Sequence, residues 1–272
     1  MSDAMSAILQ YVKDQRKLDF SVYRPDTINR RLDQRIASAG AKNPDSYFQL
    51  LQNTPLEIDK LIATLTITTS HFFRDPLVFN VLEKFIIPEL FETFAGEMLR
   101  IWCAGCGRGE EAYSMAIMLS RAAGSESQES ALATIIATDV DRKALGDATE
   151  GSYDAEALRE VRKGVFDRYF TEERGRYRVV DEIRPMVHFV YHDVTTCSPP
   201  REGIFSDYHL ILCRNVLIYF NREMQEKILR GFSGILRNRG CLVLGEAEMI
   251  SAGDLCEVFP RTKIFRKGGR AA

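Results

Sequence analysis

No stretch of this sequence approaches the run of about 18 apolar residues that a membrane-spanning helix needs. Its first residues, "MSDAMSAILQ", have neither the basic segment nor the long apolar segment of a secretory leader. Both absences lead us to expect a cytoplasmic protein with no direct membrane insertion. An excess of charge of one sign is also missing: 36 Lys and Arg stand against 38 Asp and Glu, a net charge of -2. That balance, with no strip of interleaved aromatic and basic residues, excludes nucleic acid as the expected partner. No second C-x-x-C accompanies Cys103 and Cys106, and that pair falls within a glycine turn. No metal is therefore expected, and the six cysteines, mostly inside apolar runs, read as reduced thiols. Internal repeats and low-complexity tracts are lacking, and "GSESQES" (124–130) reads as a surface loop.

What is present is an ordinary globular composition, 45% apolar and 27% charged over 272 residues. That length suits one large α/β unit with a smaller accessory domain. From residue 4 to about 65 the pattern is helical, in "ILQYVKDQ", "PDTINRRLDQRIASAG", "NPDSYFQLLQN" and "PLEIDKLIATLT". Ile28, Leu32 and Ile36 share one face of the second segment, and Arg30, Arg31 and Arg35 decorate the rest. Those arginines are either a solvated face or a docking surface for an acidic partner. From about residue 100 the chain alternates apolar runs, "LRIWCA", "TIIATDVD", "VHFVYHDV", "HLILCRNVLIYF" and "GCLVLGEAE", with helical stretches. Near-continuous apolar strands alternating with helices predict a mainly parallel, doubly wound sheet. The stretch "RYRVVDEIRPMVHFV" reads as a small hairpin excursion from it.

The first predicted strand runs into Gly105-x-Gly107-x-Gly109, followed at once by Glu110 and Glu111. A glycine turn at a strand's carboxyl end lets backbone approach a ligand closely. A nicotinamide dinucleotide would prefer G-x-G-x-x-G and no carboxylates near its pyrophosphate. Two acids instead suit a ligand carrying an ammonium and a sulfonium, and the ligand that fits is S-adenosylmethionine. Asp139, ending the second strand in "ATDVD", is placed to accept from both ribose hydroxyls. Read singly, Glu110 and Glu111 could simply complement the helix dipole, and Asp139 could cap the helix beginning near Arg142.

The joint occurrence of "ITTSHFFRDP" (67–76), "WCAGCGRGEEAYSMA" (102–116), "ATDVD" (137–141), "CRNVLIYF" (213–220) and "GEAEMIS" (245–251) resembles the CheR family of chemoreceptor methyltransferases over nearly the full chain. The resemblance implies an α/β protein: an N-terminal all-helical domain (1–75), a linker helix (76–98) and a class I, Rossmann-like S-adenosylmethionine-dependent methyltransferase domain (99–272). A small antiparallel β-subdomain would be inserted in the last, at about 164–190. The implied activity is transfer of a methyl group from S-adenosylmethionine to receptor glutamate carboxylates, leaving S-adenosylhomocysteine.

The same resemblance assigns roles. Arg74 would reach into the cofactor cleft, with Thr68 and Ser70 just upstream, beside the Gly105 turn. Glu111 would hold the methionine ammonium or a neighbouring polar group, and Asp139 the ribose. Asp193 and Val194 would flank the adenine, Cys213, Arg214 and Asn215 would line the cleft, and Tyr219 would stand near the transferred methyl. Arg30, Arg31 and Arg35 would face the acidic helical region of a chemoreceptor's cytoplasmic part, the protein acting as a monomer. Three departures from the family pattern stand out: Thr68 where Asn is common, Gly107-Arg108 where Ser-Thr is common, and Glu246-Ala247-Glu248 where His-Ser-Glu is usual. The segment "EERGRYRVVDE" is also short, the form expected of members that do not tether a receptor's tail peptide. Two other readings stay open: a cofactor-sensing module without turnover, and a methyltransferase for another substrate.

Overall fold

The computed structural model describes residues 3–66, 70–123, 133–201, 207–250 and 253–268. Contacts divide the chain into two compact units, Met1–Ile67 with Ile218–Gln225, and Thr68–Leu217 with Glu226–Ala272.

The first unit contains α1 (Asp3–Arg16), α2 (Pro25–Ser38), α3 (Pro44–Asn53) and α4 (Glu57–Leu65). Pro25 and Pro44 occupy first-turn positions, where the missing N–H has no helical partner to lose. Asn43 and Ser46 close a capping box at the start of α3, each side chain accepting from the other's backbone amide at 2.9 and 3.1 Å. Ile28, Leu32 and Ile36 are buried, as their spacing requires. The rest of α2 is not a uniform solvated face. Arg35 forks onto buried Glu57, Nε to Oε1 at 2.7 Å and Nη2 to Oε2 at 2.9 Å, and the Tyr47 hydroxyl donates to the same carboxylate at 3.0 Å. Arg31 donates to the Thr64 carbonyl at 2.6 Å. Residues 218–225 group with these helices: the Asn221 amide donates to the Val22 carbonyl at 2.9 Å, and Phe220 pairs with Tyr23 in an isolated bridge.

The second unit is built on a seven-stranded sheet. Its strands are β1 (Leu99–Ala104), β2 (Ala133–Asp139), β6 (Val187–Tyr191), β7 (Tyr208–Cys213), β8 (Leu236–Leu244), β9 (Leu255–Phe259) and β10 (Ile264–Lys267), in the order β6-β2-β1-β7-β8-β10-β9. The first five in that order are parallel, and β10 and β9 add an antiparallel edge. The crossovers include α7 (Glu110–Ala123), α8 (Arg142–Glu150) and α10 (Arg222–Ile235), and their apolar faces cover the sheet. Register brings Ala104 level with Thr138, Asp139 with Tyr191 and Cys213 with Leu244. The carboxyl ends of β1, β2, β6, β7 and β8 therefore share one edge. Strand order reverses between β1 and β7, the switch point at which open α/β sheets bind ligands.

Two expected boundaries move. Residues 68–75 belong to this second unit, and so does the expected linker at 76–98. That segment forms α5 (Pro76–Val81) and α6 (Ile87–Thr93), joined by a π-turn at Leu82–Ile86. Pro88 has no N–H to complete a regular turn there. Phe79, Leu82, Ile86, Ile87 and Leu90 enter the main hydrophobic core, so the segment is part of the domain. The small antiparallel sheet also starts earlier than expected. It comprises β3 (Ser152–Tyr153), β5 (Arg176–Val179) and β4 (Phe170–Glu173), while "VHFVY" is a strand of the main sheet. Its hairpin turns at Arg174 and Gly175, both with positive φ, the twist that a two-residue connection favours.

Candidate functional site

The glycine turn joins β1 to α7 along the shared edge. Gly105 takes φ +74°, and a Cβ there would lie 2.4 Å from Val216 Cγ2; a Cβ on Gly109, at φ +89°, would lie 2.8 Å from Phe189 Cζ. Conformation and close approach both demand glycine at these two positions. The Gly105 and Cys106 amides donate to the Thr138 carbonyl at 2.8 and 2.9 Å, fixing the turn against the end of β2. The Gly107 amide donates to Asp139 Oδ2 at 2.8 Å and the Asp141 amide to Oδ1 at 2.9 Å. Burial raises the Asp139 carboxyl, opposed by those two amides. The cap of α8 is Asp141, whose Oδ1 accepts from Lys143 and Ala144 at 2.9 and 3.1 Å. Asp139 therefore does not cap α8, and its carboxylate turns to the amides of the glycine turn and of Asp141 instead.

Glu110 and Glu111 diverge. Glu110 is 1% exposed and its Oε2 has no hydrogen-bond partner among the described residues. Burial pushes its carboxyl up to about 7. Glu111 points to Arg214, whose Nη1 donates to Oε2 at 2.8 Å. The other arm of Arg214 donates to Asp75 Oδ2 at 2.5 Å and to the Arg74 carbonyl at 3.1 Å. One buried guanidinium therefore ties the glycine-turn helix to the "FFRD" turn. That turn is bent tightly: Phe73 and Asp75 have φ +54° and +62°, and Asn215, beside Arg214, has +60°. Non-glycine residues in this region gather where the surroundings over-determine them. The Phe73 amide is held by Ser114 Oγ at 3.0 Å and the Phe72 amide by the Ala157 carbonyl at 2.9 Å. Arg74 itself is half-buried, and among the described residues its guanidinium makes no hydrogen bond or ion pair.

The remaining expected residues fall as follows. Asp193 ends the segment after β6, its Oδ1 accepting from the Thr195 amide and hydroxyl at 2.9 and 2.7 Å, with Val194 buried behind it. The Cys213 side chain is fully buried and its thiol raised well up by burial, so only its backbone can line a cleft. Ser70 is half-buried, and Thr68 lies outside the described residues. Tyr219 belongs to the segment grouped with the helical unit, where its carbonyl accepts from the Arg24 amide at 2.8 Å. In that unit Arg30 is exposed, while Arg31 and Arg35 are engaged internally as described.

Sequence reasoning missed two residues. Glu248, in the departed "GEAE" motif, is buried; its Oε1 accepts from the Val216 and Leu217 amides at 2.9 and 2.7 Å and its Oε2 from Gly245 at 2.5 Å. It braces the loop after β7. Burial raises its carboxyl while these amides oppose the rise. Asp75 was hidden as one more surface acid beside an arginine, although "FFRD" had already been singled out. Glu246, in the same motif, is exposed.

Glu111 thus lies in the first turn of α7, Asp139 ends β2 and Asp193 follows β6, all beside the carboxyl edge of the parallel strands. A set of carboxylates would repel a pyrophosphate, yet it fits a ligand that offers an ammonium, vicinal hydroxyls and an exocyclic amine. Cys103 and Cys106 are buried free thiols raised well up by burial, and no group of side chains suited to a metal occurs among the described residues. No helix among those residues is long and apolar enough to cross a membrane.

Comparison with known proteins agrees with this chemistry. Residues 3–66 match the family model "CheR methyltransferase, all-alpha domain" and residues 68–265 match "CheR methyltransferase, SAM binding domain". A relative named "Chemotaxis protein methyltransferase" from Listeria innocua is 34% identical over 239 residues, covering 88% of this chain and 87% of that protein. An uncharacterized 104.1 kDa protein of Rhodobacter capsulatus is 32% identical over 250 residues, and there this chain spans only 26% of the relative's length. Among solved structures, a TehB-like SAM-dependent methyltransferase of Corynebacterium glutamicum gives a TM-score of 0.33 at 16% identity, covering 57% of this chain and 59% of that one. With both domain models matched in order across most of its length, the chain belongs to the CheR methyltransferase family and is an S-adenosylmethionine-dependent methyltransferase.

Proposed function

We propose that the protein is cytoplasmic and methylates glutamate side chains in the acidic helical region of a chemoreceptor, forming methyl esters. The observation that carries this reading is the Arg74 guanidinium, without a partner among the described residues and set on a turn tied through Arg214 to Glu111. The names of the relatives, chemotaxis protein methyltransferases of about the same length, support it.

The bound cofactor supplies an electrophilic methyl group on a sulfonium. Glu111 would receive its ammonium, Asp139 its ribose hydroxyls and Asp193 with Val194 its adenine, beside Ser70 and the Gly105 turn. A glutamate of ordinary pKa, about 4.3, is already ionised at neutral pH, so no strong general base is needed. The protein's task is to orient the carboxylate and strip part of its water. Arg74 suits that task, because a guanidinium stays protonated and grips a carboxylate through two parallel hydrogen bonds. On the helical unit, Arg30 meets the acidic partner, and Arg31 and Arg35 hold the helix that presents it. Complementary charge there speeds encounter and fixes register.

The test is Arg74→Ala. Transfer to receptor fragments should fall by at least about a hundredfold, the scale of a bidentate charge-assisted pair, while the dissociation constant for S-adenosylhomocysteine stays measurable. Undiminished transfer would overturn the role of Arg74.

A further inference from the structure

Arg214 touches both halves of the proposed site, Glu111 on one side and the Arg74–Asp75 turn on the other. It is 1% exposed along its side chain, yet it meets two carboxylates, Glu111 and Asp75, and the Arg74 carbonyl. When a guanidinium lies between two acids, the negative charge of each offsets part of the cation's field at the other. Removing the charge of one leaves the whole of the cation bearing on the other. Asp75 is the more exposed acid, at 40% of its side chain, whereas Glu111 is at 15%. Nothing places Asp75 in contact with a ligand, and its side chain makes no capping bond to α5.

We infer that Arg214 is a positioning residue that couples Glu111 to the Arg74–Asp75 turn, so that Asp75 sets how strongly Glu111 attracts an ammonium. The inference rests on the reading that Glu111 receives the amino group of the cofactor. Its consequence is that two functions are linked: the carboxylate that holds the cofactor's amino acid part and the turn that carries Arg74 answer to one cation. Loosening either end of the bridge changes the other.

The experiment compares the parent protein with Asp75→Asn and Glu111→Gln by calorimetric titration. Asparagine tolerates the left-handed backbone at this position and retains an oxygen that accepts from Arg214, so the substitution changes charge and little else. Two ligands are used: S-adenosylhomocysteine, which carries the α-ammonium, and 5′-methylthioadenosine, which lacks the amino acid part. Glu111→Gln should weaken S-adenosylhomocysteine by at least about tenfold. Asp75→Asn should weaken it on the order of fivefold, the scale of one partly exposed charge. Neither should move the affinity for 5′-methylthioadenosine. If Glu111→Gln leaves S-adenosylhomocysteine binding unchanged, the reading of the site itself fails. If Glu111→Gln acts as expected and Asp75→Asn does not, the coupling is refuted. Equal weakening of both ligands by Asp75→Asn also refutes it, because general damage to the site would have that effect.

Discussion

Glu110 gives the most quantitative handle on this fold. It opens α7 with its carboxyl buried and one oxygen without a partner among the described residues, and burial raises the group from the ordinary 4.5 to about 7. At about 1.4 kcal/mol per pH unit, that rise corresponds to a penalty of about 3 kcal/mol on the folded state once the group ionises. The sign follows from linkage. The folded protein holds this proton more tightly than the unfolded chain, so the contribution to stability is full below about 4.5 and is lost as pH rises through about 7. Glu110→Gln keeps the shape and removes the titration. The stability of the variant relative to the parent should therefore grow by about 2 to 3 kcal/mol between pH 5 and pH 8. The assay is urea unfolding across that range, followed by the fluorescence of Trp102, the only tryptophan and a buried residue of β1. Because it compares slopes, any fixed difference in hydrogen bonding between acid and amide cancels. A stability difference that is the same at pH 5 and pH 8 would refute the reasoning.

Three further outcomes are expected. Arg35→Ala leaves the buried Glu57 carboxylate with Tyr47 as its remaining donor and should cost about 3 to 5 kcal/mol in unfolding of the helical unit, followed by circular dichroism. Glu248→Ala removes the acceptor of three backbone amides and should lower stability by about 3 kcal/mol or more in the same urea assay; a loss under about 1 kcal/mol would mean that water replaces the brace. Arg30→Glu should slow methylation of a receptor fragment, most at low salt, without changing affinity for S-adenosylhomocysteine. An unaltered rate would return Arg30 to a merely solvated face.

How much of this was legible in the sequence depends on the range of the interaction involved. The five parallel strands were readable because strands buried on both faces must be apolar nearly throughout, as in "LRIWCA" and "TIIATDVD". The antiparallel strands β9 and β10 were not, since "LCEVF" and "IFRK" are short, carry charged residues among the apolar ones and are separated by a turn containing Pro260. The glycine turn with Asp139 was legible because its requirements are local: positive φ at Gly105 and Gly109, and an acid at the next strand's end. The grouping of residues 218–225 with the helices was not, because it depends on pairing Phe220 with Tyr23, far away along the chain. Arg35 shows the same limit on a smaller scale. A helix-face pattern leaves its basic residues as a solvated face or a docking surface, and only the fold brings Glu57 and Tyr47 to one of them. The "FFRD" turn was legible as a motif, but the reason for its acid, the shared Arg214, appears only in three dimensions.

The most direct test of the central claim is transfer of tritiated methyl from labelled S-adenosylmethionine to purified cytoplasmic fragments of chemoreceptors, followed by mild alkali. The account requires label on the fragments that alkali releases as methanol, and its loss when the acceptor glutamates are replaced by alanine. Transfer that survives alkali, or none to any receptor fragment from a protein that binds S-adenosylhomocysteine, would contradict it.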